Sequence, residues 1–157
     1  MGRISTYMQV SLDGYFAGPD GEIDWFKDTE PDPGFDAYSL ERAQGGSVLL
    51  FGRTTYDMMA AWWPTLAAAK AMPEVAAQMN AVSKIVFSQT LTSAHWNNTT
   101  LIKTDLVGTI RRMKAEPGPD MAILSFLAGL RQPLNLTFTH ARTFGNGSVV
   151  LSYAPVR

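Results

Sequence analysis

One junction constrains this chain more than any other. The apolar run from Ser47 to Phe51 stops at Gly52, and a helix-like segment, Thr54 to Trp62, follows at once. A run that short, closed by glycine, reads as a buried strand. A strand that passes directly into a helix is the repeating connection of an α/β sheet. The junction also has chemical potential. A helix start leaves backbone N–H groups unpaired and carries a partial positive charge. A glycine lets an anion approach the backbone, and Arg53 adds a fork of donors beside Thr54 and Thr55. The same residues serve equally well as an ordinary strand-to-helix turn with a threonine cap.

The rest of the chain repeats the alternation. Arg3 to Ser11 is rich in strand formers and predicts a first strand. Leu12–Asp13–Gly14–Tyr15–Phe16–Ala17–Gly18–Pro19–Asp20–Gly21 is a loop dense in turn residues, a place where function tends to sit. Pro33 opens a helix through Phe35, Tyr38 and Leu40 that Gly45–Gly46 ends. Trp62–Trp63–Pro64 closes the segment after the central strand, and Pro73 starts another helix over Glu74 to Ala81. Lys84 to Ser88, Thr99 to Ile102 and Met121 to Leu124 read as strands, with Asp105 capping a helix between the last two. Leu134, Leu136 and Phe138 alternate with polar residues, as do Val149, Leu151 and Tyr153 on the return. Gly145–Asn146–Gly147 between them predicts a hairpin. The expectation is a single α/β domain over residues 1–157: three α/β/α layers on a mixed central sheet, with a C-terminal β-hairpin.

Composition narrows the function. A net charge of −1 leaves no footprint for nucleic acid or a polybasic membrane patch. With no cysteine there are no disulfides, thiolate catalysis or cysteine-based metal sites, which fits a cytoplasmic protein. The N-terminus has no signal-like apolar core, and no run approaches membrane-spanning length. The only two histidines, His95 and His140, have no metal-binding spacing, so no metal is expected. Acid–base work falls to carboxylates, tyrosine or water.

Four stretches in this order resemble the dihydrofolate reductase-like fold. They are Ser11–Leu12–Asp13–Gly14–Tyr15, Asp24–Trp25, Leu50–Phe51–Gly52–Arg53–Thr54–Thr55–Tyr56 and Lys84–Ile85–Val86–Phe87–Ser88. The branch they resemble is the reductase domain at the C-terminal end of bifunctional riboflavin-biosynthesis deaminase–reductases, the RibD C-terminal domain family. Arg142–Thr143–Phe144–Gly145–Asn146–Gly147 is similar to stand-alone members of it. The resemblance implies NADPH-dependent hydride transfer to a C=N or C=O bond of a small heterocyclic or sugar-linked substrate. It implies that Gly52, Arg53, Thr54 and Thr55 cradle cofactor phosphates, with Arg53 favouring a 2′-phosphate, and that Ser88 and Gln89 lie near the adenosine. Ser88 can equally cap a turn. The loop through Ala17 would lie over the nicotinamide, with Asp13, Tyr15 and Trp25 toward the substrate. Asp13 can instead stabilise an Asp–Gly turn, and Trp25 can be a core or lid aromatic. Asp28, Glu30 and Asp32 are candidates for a carboxylate that helps a proton reach the reduced bond. By the same resemblance the protein forms a homodimer through its last strands.

The chain also departs from that pattern. Where relatives carry a glycine pair for the pyrophosphate after a strand like Met121–Leu124, this chain reads Ser125–Phe126–Leu127–Ala128–Gly129–Leu130–Arg131–Gln132–Pro133 and enters the hairpin. A second phosphate cradle is missing, with roughly a helix and a strand. Either the protein lacks the segment, or the numbered residues join across a gap. The alternative to a reductase is therefore a non-catalytic nucleotide-binding or oligomeric scaffold protein of the same fold.

Overall fold

The computed structural model describes residues 2–19, 22, 30–124 and 135–156. Asp24, Trp25, Asp28 and the stretch Ser125–Pro133 lie outside the described residues. The chain divides into two compact units, Met1–Met8 with Leu40–Phe126, and Gln9–Ser39 with Leu127–Arg157.

The first unit is built on a five-stranded sheet. Its strands are β1 (Ile4–Tyr7), β2 (Val48–Gly52), β3 (Lys84–Phe87), β4 (Thr99–Ile102) and β5 (Met121–Leu124), in the order β1-β5-β2-β3-β4. Every pairing is parallel. Parallel neighbours need crossovers, and helices supply them. Here these are α2 (Arg53–Trp62), α3 (Leu66–Ala71), α4 (Pro73–Ala81) and α5 (Leu106–Ala115), while α1 (Pro33–Gln44) leads into β2. Pro73 sits in the first turn of α4, and the Asp105 side chain accepts from Gly108 N at 3.0 Å to cap α5. The first strand is shorter than the alternation from Arg3 to Ser11 suggests, and α3 carries no strong sequence signal because its Leu66–Ala71 run is mostly alanine.

The core packs against the junction after β2. Leu49, Phe51 and Val86 point to one face and meet Tyr56 of α2, Met79 of α4 and Trp96 of the loop before β4. The rings of Phe51, Tyr56 and Trp96 lie 6.0–6.4 Å apart, within range for aromatic pairing. Trp96 N donates to Tyr56 Oη at 3.0 Å, and Trp96 Nε1 donates to Asn80 Oδ1 at 2.7 Å. Burying a side chain such as Phe51 contributes about 1.5–3 kcal/mol. Tyr56 stands four residues after Gly52, so this packing pins the first turn of α2 against the end of β2.

The second unit contains the loop from Gln9, the first turns of α1 and a hairpin of β6 (Leu136–Thr143) and β7 (Val149–Pro155). The strands are antiparallel, with a bulge between Phe138 and His140. The two kinds of pairing expected of a mixed sheet are thus divided: the central sheet is wholly parallel, and β6–β7 form a separate two-stranded sheet among the described residues. Gly147 takes φ +84° in the connecting turn, a conformation glycine reaches without strain. Phe144 packs edge-on against Phe35 of α1 at 5.2 Å. Arg142 lies over Phe144 and Tyr38, at 5.1 and 5.5 Å from the ring centres.

Candidate functional site

The carboxyl ends of parallel strands are where open α/β sheets bind ligands, and there this chain places a prepared corner. Gly52, the last residue of β2, pairs with Phe87 of β3, so Ser88 follows on the adjacent strand end. α2 starts at Arg53, one residue earlier than the sequence suggests. Its N-cap is Gly52, so a threonine is not the cap: Thr54 and Thr55 lie inside the first turn. No side chain caps the helix, and its first turn contains no acid, so no carboxylate there offsets the positive character of the end.

Gly52 has φ −79° and ψ 164°, an extended conformation open to any residue. A Cβ built there meets nothing within 4 Å. Neither backbone strain nor packing within the described protein calls for glycine at this position. What the missing side chain leaves is open space against the backbone.

Arg53, the next residue, is half exposed. Its Nε donates to Asp57 Oδ2 at 3.2 Å and its Nη1 donates to Thr90 Oγ1 at 2.6 Å. Ser88 Oγ accepts from Leu91 N at 3.0 Å and from Thr90 N at 3.3 Å, so the hydroxyl does cap the turn after β3. Gln89 is exposed beside it. The structure therefore brings together Gly52, Arg53, Thr54, Thr55, Ser88 and Gln89, and adds Asp57 and Thr90, which sequence reasoning missed. The Arg53–Asp57 spacing of four is a legible helix pair. Thr90 gave no signal, because a contact across 37 residues depends on the sheet.

Asp13, Tyr15 and Ala17 lie in the second unit and form one loop. Ser11 N donates to Tyr15 O at 2.7 Å, Tyr15 N to Ser11 Oγ at 2.9 Å, and Ser11 Oγ to Asp13 Oδ1 at 2.6 Å. Gly14 takes φ +88° at the bend. Asp13 thus takes part in the turn through one carboxylate oxygen. Ser11, Asp13, Tyr15, Ala17, Gly18 and Pro19 line a shallow concavity of about 430 Å³. Asp32 is the N-cap of α1: Oδ1 accepts from Phe35 N at 2.8 Å, and Oδ2 from Asn146 N at 3.2 Å. The Phe35 N–H, helped by those of Gly145 and Asn146 and opposed by desolvation, holds its pKa below the usual aspartate value. Glu30 is exposed.

At the opposite, amino ends of β2, β3 and β4 lies a wide concavity of about 580 Å³ lined by Val48, Ser83, Lys84, Trp96, Asn98 and Thr99. Lys84 there is buried, and Nζ donates to Met79 O and Val82 O, each at 2.7 Å, and to Asn80 O at 3.4 Å. Its ammonium also sits 4.4 Å from the centre of the Trp96 ring. Its donors are directed at the carbonyls that end α4, so it closes a helix rather than awaiting a ligand. Among the described residues no group of three or more metal-ligating side chains gathers, and no helix is long and apolar enough to cross a membrane.

The family model of the RibD C-terminal domain matches residues 4–126, from the start of β1 to two residues past β5. The chain belongs to the RibD C-terminal domain family. Its fold is the dihydrofolate reductase-like α/β fold that the sequence motifs suggest. "Uncharacterized protein YyaP" of Bacillus subtilis (strain 168) is 24% identical, over 96% of this chain and 94% of that protein. That alignment runs over 182 positions and this chain has 157 residues, so the RibD C-terminal domain here is aligned with gaps on its side. A crystal structure from Shewanella sp. PV-4, described as "Putative riboflavin biosynthesis protein", superposes with a TM-score of 0.67 at 20% identity, covering all of both chains.

Proposed function

We propose that the protein is an NADPH-dependent reductase that delivers hydride to a C=N or C=O bond of a small heterocyclic or sugar-linked substrate. The observation that carries this reading is Gly52: a glycine at the carboxyl end of a parallel strand, needed neither by its backbone angles nor by packing, beside an uncapped helix start. Family membership supports a reductase-type fold. The residues fit a phosphate. Gly52 with the N–H groups of Arg53, Thr54 and Thr55 would hold the cofactor phosphates, and Ser88 and Gln89 would meet the adenosine side. By resemblance Ala17 would meet the cofactor, and Asp13, Tyr15 and Trp25 the substrate.

When bound, the reduced nicotinamide supplies the hydride. The protein's share is to bind and to hold donor and acceptor carbons in line. Reduction also consumes a proton. Asp32 is a poor source, because its carboxylate is held ionised by backbone N–H groups. With Ser125–Phe126 in place of a glycine pair, the first cradle carries more of the cofactor grip, and affinity is expected to fall below that of relatives with two.

A homodimer in the cytoplasm belongs to the same proposal. Leu136, Phe138, Val149, Leu151 and Tyr153 share one face of the hairpin, and each is about half exposed. An isolated two-stranded hairpin is marginal in water, and a second copy packed on this face would bury it. Sedimentation of the wild type and of Leu151→Asp should read dimer and monomer. A wild-type monomer overturns that part.

The test of the reductase is titration with NADPH, followed by nicotinamide fluorescence. Binding that weakens in Arg53→Ala supports it. No binding at millimolar cofactor leaves the non-catalytic scaffold, which the missing glycine pair favours.

A further inference from the structure

We infer that Asp57 sets how strongly this site prefers a 2′-phosphorylated dinucleotide, by holding part of the charge of Arg53. The inference rests on the reading above and concerns its regulation by one residue. Arg53 is the cation that corner offers to a phosphate, and it already faces a carboxylate, Asp57 Oδ2 at 3.2 Å. Its other recorded contact is neutral: Thr90 Oγ1 at 2.6 Å. The neighbours on the strand end, Ser88, Gln89 and Thr90, are uncharged. The pair therefore presents nearly no net charge to an incoming anion, whereas a 2′-phosphate gains most from a site with a surplus positive charge.

The geometry leaves Arg53 able to bind all the same. A guanidinium has five N–H donors in a flat fork. The contacts to Asp57 and Thr90 engage Nε and one N–H of Nη1, and they leave the second N–H of Nη1 and both on Nη2 unused. Thr90 fixes the fork at the end of β3, next to Ser88. A phosphate that docks on the outer side of the fork meets a positioned donor whose pull is reduced by the carboxylate behind it. Both side chains are half exposed, so water and salt moderate the effect without removing it.

The consequence is a cofactor preference weaker than Arg53 alone would give, and one that a single neutralisation should raise. The probes are 2′,5′-ADP and 5′-AMP, which differ by that phosphate, measured by calorimetry at low salt alongside NADPH and NADH. Asp57→Asn is expected to tighten 2′,5′-ADP and NADPH about three- to tenfold, with 5′-AMP and NADH within about twofold, and raised salt should shrink the difference. Arg53→Ala should abolish the distinction between each pair of probes. If wild type binds NADPH but Asp57→Asn changes both probes of a pair alike, or neither, the inference fails and the reductase reading stands. If the wild type binds neither dinucleotide, both fail together. Asp57→Glu, which keeps the charge, should stay near wild type and separates lost charge from altered helix stability.

Discussion

The two ends of the β2–β3 strand pair are finished differently. At the amino end, Leu49 pairs with Lys84; at the carboxyl end, Gly52 pairs with Phe87. The distance between them is three strand steps, roughly 10 Å. At the amino end a cation is buried, three carbonyls receive its protons, and an aromatic ring covers it. The helix terminus it meets is a C-terminus, whose unpaired groups are acceptors. At the carboxyl end the cation is half exposed, no side chain caps the helix terminus, and a glycine leaves space open. The same local ingredients, a basic residue and a helix end, are closed for stability at one end and left open at the other. Structure completed internally holds a fold together, and structure left incomplete is available to a ligand.

Removing Lys84 should produce the largest effect. Lys84→Ala deletes a buried stem and leaves carbonyls without donors, and is expected to cost about 2–4 kcal/mol in urea unfolding. Lys84→Met keeps most of the stem and should cost less. If both variants unfold like the wild type, the amino end is not the finished one.

Gly52→Ala tests the other end with the opposite signature. Its backbone angles admit alanine and its surroundings are open, so stability should fall by no more than about 1 kcal/mol, the cost of alanine in place of glycine at an N-cap. NADPH binding should weaken by about tenfold or more, because the methyl group occupies the space the phosphate needs. Unchanged binding, with the fold intact, would remove the main support for a cofactor there.

The third comparison uses pH. Burial pushes the pKa of Lys84 down from 10.5 to about 8. The folded protein then releases this proton before the unfolded chain does. Between about pH 8 and 10.5 the unfolded state binds more protons, so stability rises with pH relative to Lys84→Met; below pH 8 both states are protonated and the difference is flat. A difference that stays flat up to pH 10 would mean that the carbonyls and the Trp96 ring hold the proton in the ordinary lysine range.

The smallest effect belongs to Thr90. Thr90→Val removes the acceptor for Arg53 Nη1 and should loosen the guanidinium, lowering NADPH affinity about twofold with stability nearly unchanged. A loss as large as that of Arg53→Ala would show that the position of the fork matters as much as its charge.

Much of this was legible in the residues. Short runs bounded by glycine, proline or a helix cap place β2, β3, β4 and β5 and, α3 excepted, the helices between them, because strand burial and helix capping are local properties. Gly52 and Arg53 stood out for the same reason: a strand end and a helix start are adjacent in sequence. The aspartates were less legible. Asp32 was one of three acids, Asp28, Glu30 and Asp32, that the sequence did not separate, and its engagement with Asn146 crosses 114 residues that no local pattern reports. Asp13 offered both a turn and a substrate reading, and only the structure shows its bond with Ser11.

The sequence by itself determined the alternation of strands and helices, the family motifs, and the absence of a glycine pair after Leu124, since each is written in neighbouring residues. Only the tertiary structure decided that the parallel sheet and the hairpin are separate sheets, that Lys84 is buried, and that Arg53 is shared between Asp57 and Thr90. Those outcomes depend on which segments meet in space, and the burial or pairing of a charge is fixed by neighbours remote along the chain.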